Sequence, residues 1–305
     1  MPGKWRMCHT YRKSGLREIN ISSLDSIALR NFVKLALEED VRDGDHTSLA
    51  CIPADAQGSA RLLVKEEGIL AGLPVAIAVF EQVDTDLEMD ILMDEGDPMR
   101  KGDIAFKVTG SAISILTAER LVLNCMQRMS GIATLTNKYV KAISGTRAKV
   151  IDTRKTTPGI RLLEKYAVTV GGGANHRMGL YDMIMIKDNH VDFSGGIPQA
   201  IARTHEYLKR KGLDLKIEVE TRNLEEVRQV METGGVHRIM LDNYTPALME
   251  EAIALINGQY ETEASGGIRL ENIREYAETG VDFISVGALT HSATSLDLSL
   301  KADFS

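Results

Sequence analysis

Cysteine and long apolar runs are both scarce in this chain of 305 residues, and each scarcity excludes something. The three cysteines, Cys8, Cys51 and Cys125, are odd in number and form no C-x-x-C pair. That excludes a disulfide scaffold, argues against a zinc site and fits reduced thiols in the cytoplasm. The longest near-apolar stretch, residues 68–80, contains Pro74. It is too short to span a bilayer, which takes about 20 residues, so no membrane partner is expected. Lys4, Arg6, Arg12, Lys13 and Arg17 make the N-terminus basic, but no apolar run follows to make it a secretory signal. An excess of positive charge is also missing. With 36 Lys+Arg against 43 Asp+Glu the net charge is −7, which excludes general affinity for nucleic acid while leaving room for a local basic pocket. Neither a G-x-x-x-x-G-K-[ST] nor a G-x-G-x-x-G fingerprint occurs, so ATPase and dinucleotide-binding readings lose support.

The length suits two domains, or a barrel with an appendage. Residues 1–22 read as a loose polar leader. Ile27, Leu29, Phe32, Val33 and Leu35 then recur with helical period over 26–39. The acidic stretch from Glu38 to Asp45 that follows reads as a solvated loop turned by Gly44. Short strand-like runs at 60–65 and 104–108, with a helix expected over 71–82, describe a small α+β domain. A long helical pattern covers 116–143, with Thr117 expected as its N-cap.

From Lys149 the pattern changes. Short apolar runs at 149–153, 167–170, 183–187, 216–220, 238–242, 260–264 and 282–286 alternate with amphipathic helical segments. Such alternation implies parallel strands joined by helical crossovers. The last four runs begin at Lys216, Arg238, Tyr260 and Asp282, 22 residues apart each time. That regularity places Glu220, Asp242, Ala264 and Val286 in one register, and Glu218, Met240, Thr262 and Ile284 in the other. Helix ends are legible as well: Asn223 with Glu226 as a capping box, Thr245–Pro246 as an N-cap with proline at N1, Gly212 after a basic last turn, and Gly280 as a stop. Seven strands predict an α/β (TIM-like) barrel, with an open doubly wound sheet as the alternative. The expected division is a leader (1–22), an N-terminal α/β sandwich-like domain (23–130), the barrel (131–290) and a C-terminal segment (291–305) free to return to the first domain.

In a parallel barrel, ligands meet the C-terminal strand ends. Those ends carry Arg154, Lys155, His176, Arg177 and Lys187, opposed by Glu220 and Asp242. A net-negative chain that gathers cations at one mouth binds a polyanion there. Ser265, Gly266 and Gly267 before a helix, and Gly287 with Ala288 after the next strand, offer backbone amides to a phosphate. Two carboxylates beside phosphates suit Mg²⁺ or ribose hydroxyls.

An ordered set of motifs now carries a resemblance: Asp152-Thr-Arg-Lys-Thr156, Gly171-Gly-Gly-Ala-Asn-His-Arg177, Lys187-Asp-Asn-His190, Glu218-Val-Glu220, Leu241-Asp-Asn243, Ser265-Gly-Gly-Ile268 and Val286-Gly-Ala-Leu-Thr-His-Ser292. Upstream, Leu37-Glu-Glu-Asp40, Gly44-Asp-His-Thr-Ser48 and Thr117-Ala-Glu-Arg120 fit too. From about residue 25 onward the chain resembles the quinolinate phosphoribosyltransferase (carboxylating nicotinate-nucleotide pyrophosphorylase) family. The resemblance implies an N-terminal α/β sandwich-like domain, a seven-stranded barrel, and a homodimer with shared active sites, and it admits a hexamer. It implies transfer of phosphoribosyl from phosphoribosyl pyrophosphate to quinolinate with loss of CO₂, Mg²⁺ as cofactor, and a place in NAD biosynthesis.

By the same resemblance, Arg154, Arg177 and the partner's Arg120 would clamp the quinolinate carboxylates. Lys155, Lys187 and His176 would hold carboxylate or phosphate, and Thr153 would line the substrate site. Glu220 and Asp242 would meet the ribose hydroxyls and Mg²⁺, directly or indirectly. Ser265–Gly267 and Gly287–Ala288 would cradle the 5′-phosphate. Lys155, Glu220 and Asp242 are the expected catalytic residues. Two rivals stand beside this reading: a Schiff-base lyase using Lys187 or Lys155, and a non-catalytic binder like the related protein of molybdenum-transport loci.

Overall fold

The first element in the computed structural model, which describes residues 11–13, 24 and 26–303, is a short strand, β1 (Tyr11–Lys13). Part of the expected leader is therefore ordered backbone; the rest of 1–22 lies outside the described residues. Helix α1 (Ser26–Asp40) follows where the apolar period predicts it. The acidic stretch is not a simple loop, because Asp45 caps a second helix, α2 (His46–Cys51), accepting the Ser48 amide at 3.1 Å. Then come β2 (Gln57–Val64), β3 (Gly68–Ile69), α3 (Leu73–Val83), β4 (Glu88–Ile91), β5 (Pro98–Met99), β6 (Ile104–Ser111) and α4 (Ala112–Ala142). Residues Leu73 to Phe80 of α3 are all buried, and its first amides, Gly72 and Leu73, go to the Glu95 carboxylate at 2.7 and 2.9 Å. Thr117 is not a cap: it sits inside α4, its hydroxyl bonded to the Ile113 carbonyl, while Ser111 accepts the Ser114 amide.

The chain continues with β7 (Lys149–Ile151), α5 (Arg161–Val170), β8 (Ile184–Ile186), α6 (Asp188–Ser194), α7 (Ile197–Lys211), β9 (Ile217–Thr221), α8 (Leu224–Thr233), β10 (Arg238–Asp242), α9 (Pro246–Ile256), β11 (Glu261–Ser265), α10 (Ile273–Glu278), β12 (Phe283–Ser285), α11 (Ala288–His291) and β13 (Leu298–Ala302). Two compact units result, one from the described parts of 1–135, 157–171 and 293–305, the other from 136–156 and 172–292. In the first, five strands pair in the order β1-β4-β6-β2-β13, antiparallel except for β1 with β4. No helix of the described residues is long and apolar enough to cross a membrane.

The second unit is a parallel sheet of six strands, ordered β7-β12-β11-β10-β9-β8. The expected seventh strand, 167–170, is instead the end of α5 in the first unit. Leu163, Tyr166 and Ala167 are buried at helical spacing, and a four-residue apolar run cannot by itself separate strand from buried helix. Glu164 of the same helix is fully buried, holding Arg128 Nε and Nη2 at 3.0 and 2.8 Å and both the amide and hydroxyl of Thr157. Beside β7, the place of a further strand is taken by a single-residue bridge from Ile151 to Ala174. Among the described residues the ladder thus has six parallel strands in place of the seven expected.

The crossover helices end as the sequence predicts. Thr245 caps α9 ahead of Pro246, and Gly212 ends α7 in the left-handed region. Asn223 accepts the Glu226 amide at 3.0 Å, although the Glu226 carboxylate turns back to Arg222 rather than closing the box.

The register differs from the 22-residue reading. Glu220 pairs with Met240, Met240 with Glu263, and Glu263 with Phe283. The odd offset between β10 and β11 exchanges the faces of every later strand, because side chains alternate with a period of two. One face carries Val219, Ile239, Leu241, Ala264 and Ile284, all fully buried. The other carries Glu218, Glu220, Arg238, Met240, Asp242, Glu263, Ser265 and Ser285. Glu263 and Ser285 therefore join the polar face, and Thr262, Ala264, Ile284 and Val286 do not.

Candidate active site

The polar face and its strand ends hold nearly all the predicted residues. Asp152, just past β7, is fully buried and accepts the His176 amide at 2.9 Å. This bond joins the segment carrying Arg154 to the one carrying Arg177. Arg177 is half-buried, donating to the Met183 carbonyl at 3.3 Å. Burial, and then the positive charge of Arg154, lower its pKa. The Nε of Arg154 is buried with no protein partner. Two neighbouring guanidiniums thus repel one another, and one of them has an unused donor.

His176 is itself buried, with Nε2 2.9 Å from Glu218 and 3.3 Å from Glu263, while Nδ1 accepts the Arg177 amide at 2.6 Å. Both ring nitrogens are thus engaged within the chain, so the expected role of holding substrate carboxylate or phosphate does not match its geometry. Burial opposes a charge on this ring, but Glu218 and Glu263 outweigh it and would hold its pKa up to about 9. Burial and then Glu263 push the Glu218 carboxyl up to about 7. Glu263 is itself held below the usual range: burial raises it, but His176 and Arg238 outweigh that. Among the described residues, His176, Glu218 and Glu263 are the group whose ligand atoms converge closely enough for a metal ion. Arg238 already supplies the positive charge there, with Nη1 2.9 Å from Glu263 and its Cζ 4.0 Å above the Phe283 ring.

The remaining predicted residues fall into small sets. Lys187 Nζ, half-exposed after β8, bonds Glu220 at 3.0 Å, and Glu220 is buried. Asp242 accepts the Asn243 side-chain amide at 2.6 Å. Asn243 has a left-handed backbone (φ 59°), fixed by its amide bond to the Ser265 carbonyl. Gly266 (φ 89°) packs so tightly on Asn243 that any Cβ would overlap that side chain. The helix after this loop begins only at Ile273, so Ser265–Gly267 is not a helix N-terminus as expected; Gly266 and Gly267, both at positive φ, offer loop amides instead. Gly287 lies against the Lys155 stem, and the Lys155 carbonyl accepts the Thr290 hydroxyl at 2.8 Å. Ala288 begins α11. The Thr153 hydroxyl is taken by the Lys155 amide at 3.0 Å. Arg120 is exposed on α4, in the first unit.

Sequence reasoning missed Glu263 and Arg238, and gave Glu218 no role. The signal was there: ionisable residues inside strand runs that read as core. The register exchange hid it by assigning Glu263 to the wrong face.

Two family models cover the chain: quinolinate phosphoribosyl transferase, N-terminal domain, over residues 45–130, and the C-terminal domain over 132–301. The chain is 49% identical over 290 residues to the chloroplastic nicotinate-nucleotide pyrophosphorylase [carboxylating] of Arabidopsis thaliana, covering 90% of this chain and 83% of that one. It is 40% identical to a probable nicotinate-nucleotide pyrophosphorylase [carboxylating] of Bacillus subtilis, covering 92% and 96%. Among solved structures it is similar to NadC from Streptococcus pyogenes, with a TM-score of 0.85 and 42% identity over 90% of this chain and 96% of that one. The nicotinate-nucleotide pyrophosphorylase from Francisella tularensis matches with a TM-score of 0.86 and 38% identity, covering 93% and 99%.

Proposed function

The chain belongs to the quinolinate phosphoribosyl transferase family, and from that premise we propose how its site works. The enzyme transfers phosphoribosyl from phosphoribosyl pyrophosphate to quinolinate, releasing pyrophosphate and CO₂ and leaving nicotinate mononucleotide for NAD biosynthesis. The observation that carries the assignment of the site is the Arg154–Arg177 pair, with its unpartnered buried donor, beside two strand-end acids.

Arg154 and Arg177 grip the two quinolinate carboxylates, because planar guanidiniums pair with carboxylates bidentately. The partner's Arg120 adds a third in a homodimer; its exposure on α4 supports that reading. Lys155 and Lys187 hold phosphate or carboxylate, and the loops at Ser265–Gly267 and Gly287–Ala288 cradle the 5′-phosphate. Glu220 and Asp242 meet the ribose hydroxyls. Their hard oxygen donors also suit Mg²⁺, whose charge would balance that of pyrophosphate.

The pyridine nitrogen attacks the anomeric carbon while the bond to pyrophosphate breaks, through an oxocarbenium-like state that Glu220 stabilises. The ring, now quaternised, accepts the electron pair left when CO₂ departs, and a proton replaces it. The clamp's task is to hold the reactants in line. The reaction is placed in the cytoplasm, a reading supported by three cysteines without a pairing pattern. The test is spectrophotometric loss of quinolinate that depends on phosphoribosyl pyrophosphate. No turnover with both substrates and Mg²⁺ present would overturn the assignment and leave the non-catalytic reading.

A further inference from the structure

Glu218, Glu263 and Arg238 have no task in that scheme, yet they are buried on the polar face next to it. We propose that they are positioning residues: acting through His176, they set the spacing of Arg154 and Arg177 and so the fit to a substrate with two adjacent carboxylates. This rests on reading those arginines as the carboxylate clamp.

His176 is the hub. Its Nδ1 accepts the Arg177 amide at 2.6 Å, and its own amide bonds Asp152 at 2.9 Å, two residues before Arg154. One residue thereby ties together the two segments that carry the guanidiniums. The ring is held from its far side, where Nε2 lies 2.9 Å from Glu218 and 3.3 Å from Glu263. The acids are anchored in turn. Arg238 Nη1 bonds Glu263 at 2.9 Å, while its Nε and Nη2 hold Glu261 at 3.2 and 3.1 Å and its Cζ stacks 4.0 Å from the Phe283 ring. These contacts come from β9, β10, β11 and β12, so the rigidity of four strands is passed to a single imidazole. Bidentate pairing is directional, and a shift of about 1 Å at such a clamp costs on the order of 100-fold in rate.

The test compares Glu263→Gln, which keeps the shape but loses the charge facing Arg238, with the wild-type enzyme. The expected result is a KM for quinolinate raised at least about tenfold, with the KM for phosphoribosyl pyrophosphate changed less than twofold. Arg238→Lys, which keeps the charge without the fork, should give the same split. A change in both KM values together, or in neither, would overturn the proposal. Should both variants fail to fold, ¹⁵N NMR of histidine in the wild-type enzyme decides: Nε2 protonated and Nδ1 a bare acceptor supports the tie, whereas a proton on Nδ1 removes it. Arg177→Ala separates the two ideas. If it loses quinolinate binding while Glu263→Gln behaves as wild type, only the positioning role fails. If Arg177→Ala binds quinolinate normally, the clamp itself fails.

Discussion

Glu220 lies opposite Met240 across the β9–β10 ladder, and Asp242 stands one pleat nearer the strand ends on the same face. The two acids are stacked along the site instead of side by side, and their surroundings differ. Glu220 is buried against Lys187; Asp242 is half-buried beside Asn243.

That difference predicts distinct losses. Glu220→Gln should lower kcat by about 100-fold, the usual scale for one electrostatic stabiliser of a transition state, with quinolinate binding retained. Lys187→Ala and Glu220→Ala should be non-additive, with a coupling of about 0.5–3 kcal/mol in a double-mutant cycle, because the two side chains touch. Additive effects would show that the pair does not act together.

Arg177→Ala should remove quinolinate turnover by about 100-fold or more while leaving the circular dichroism spectrum unchanged. Arg177→Lys should not restore it, since a point charge cannot replace a planar fork. Steady-state kinetics with quinolinate varied checks both, and full activity in the alanine variant would remove the clamp.

Gly266→Ala and Gly267→Ala form a matched pair. Both glycines sit at positive φ, which costs a residue with a Cβ about 1–2 kcal/mol. A Cβ at 266 also collides with Asn243, whereas one at 267 meets open space. The KM for phosphoribosyl pyrophosphate should rise strongly in the first variant and little in the second. Equal effects would show that the Asn243 contact is irrelevant to the loop.

Glu95 supplies a pH dependence. Burial pushes its carboxyl up to about 7, against the lowering effect of the Gly72 and Leu73 amides and Tyr166. A raised acid stabilises the folded state most when it is protonated. Its contribution is present below about pH 4.5 and is lost as pH rises toward 7, by at most about 3 kcal/mol. Denaturant unfolding of wild type and Glu95→Gln across pH 4.5–8 should show the difference in stability changing over that window. A constant difference would mean that the carboxylate is ionised throughout.

Much of the site was legible because each strand end carries its chemistry in a short motif. Asp152 to Thr156, Gly172 to Arg177 and Lys187 to His190 all fall in one unit, where strand–helix alternation puts them. Local signals for helix ends held for the same reason: Thr245, Asn223 and Gly212 act on backbone within a few residues of themselves. Thr117 misled because a threonine inside a helix can bond the carbonyl four residues back as readily as it can cap. Residues 167–170 misled because Ala and Val in a short run fit a buried helix as well as a strand.

The alternation of strands and helices, the points where helices stop, and the cations and acids at the strand ends can all be read along the chain. These depend on composition, period and capping, which are local properties. Which residues face one another follows from the packing of the strands. The offset between β10 and β11 is a matter of how two strands dock, not of the residues within either, and a single-residue change in that offset turns every side chain to the opposite face. It is this docking that brings Glu263 to His176 and makes a buried cluster from residues that look, in the linear chain, like unrelated charges.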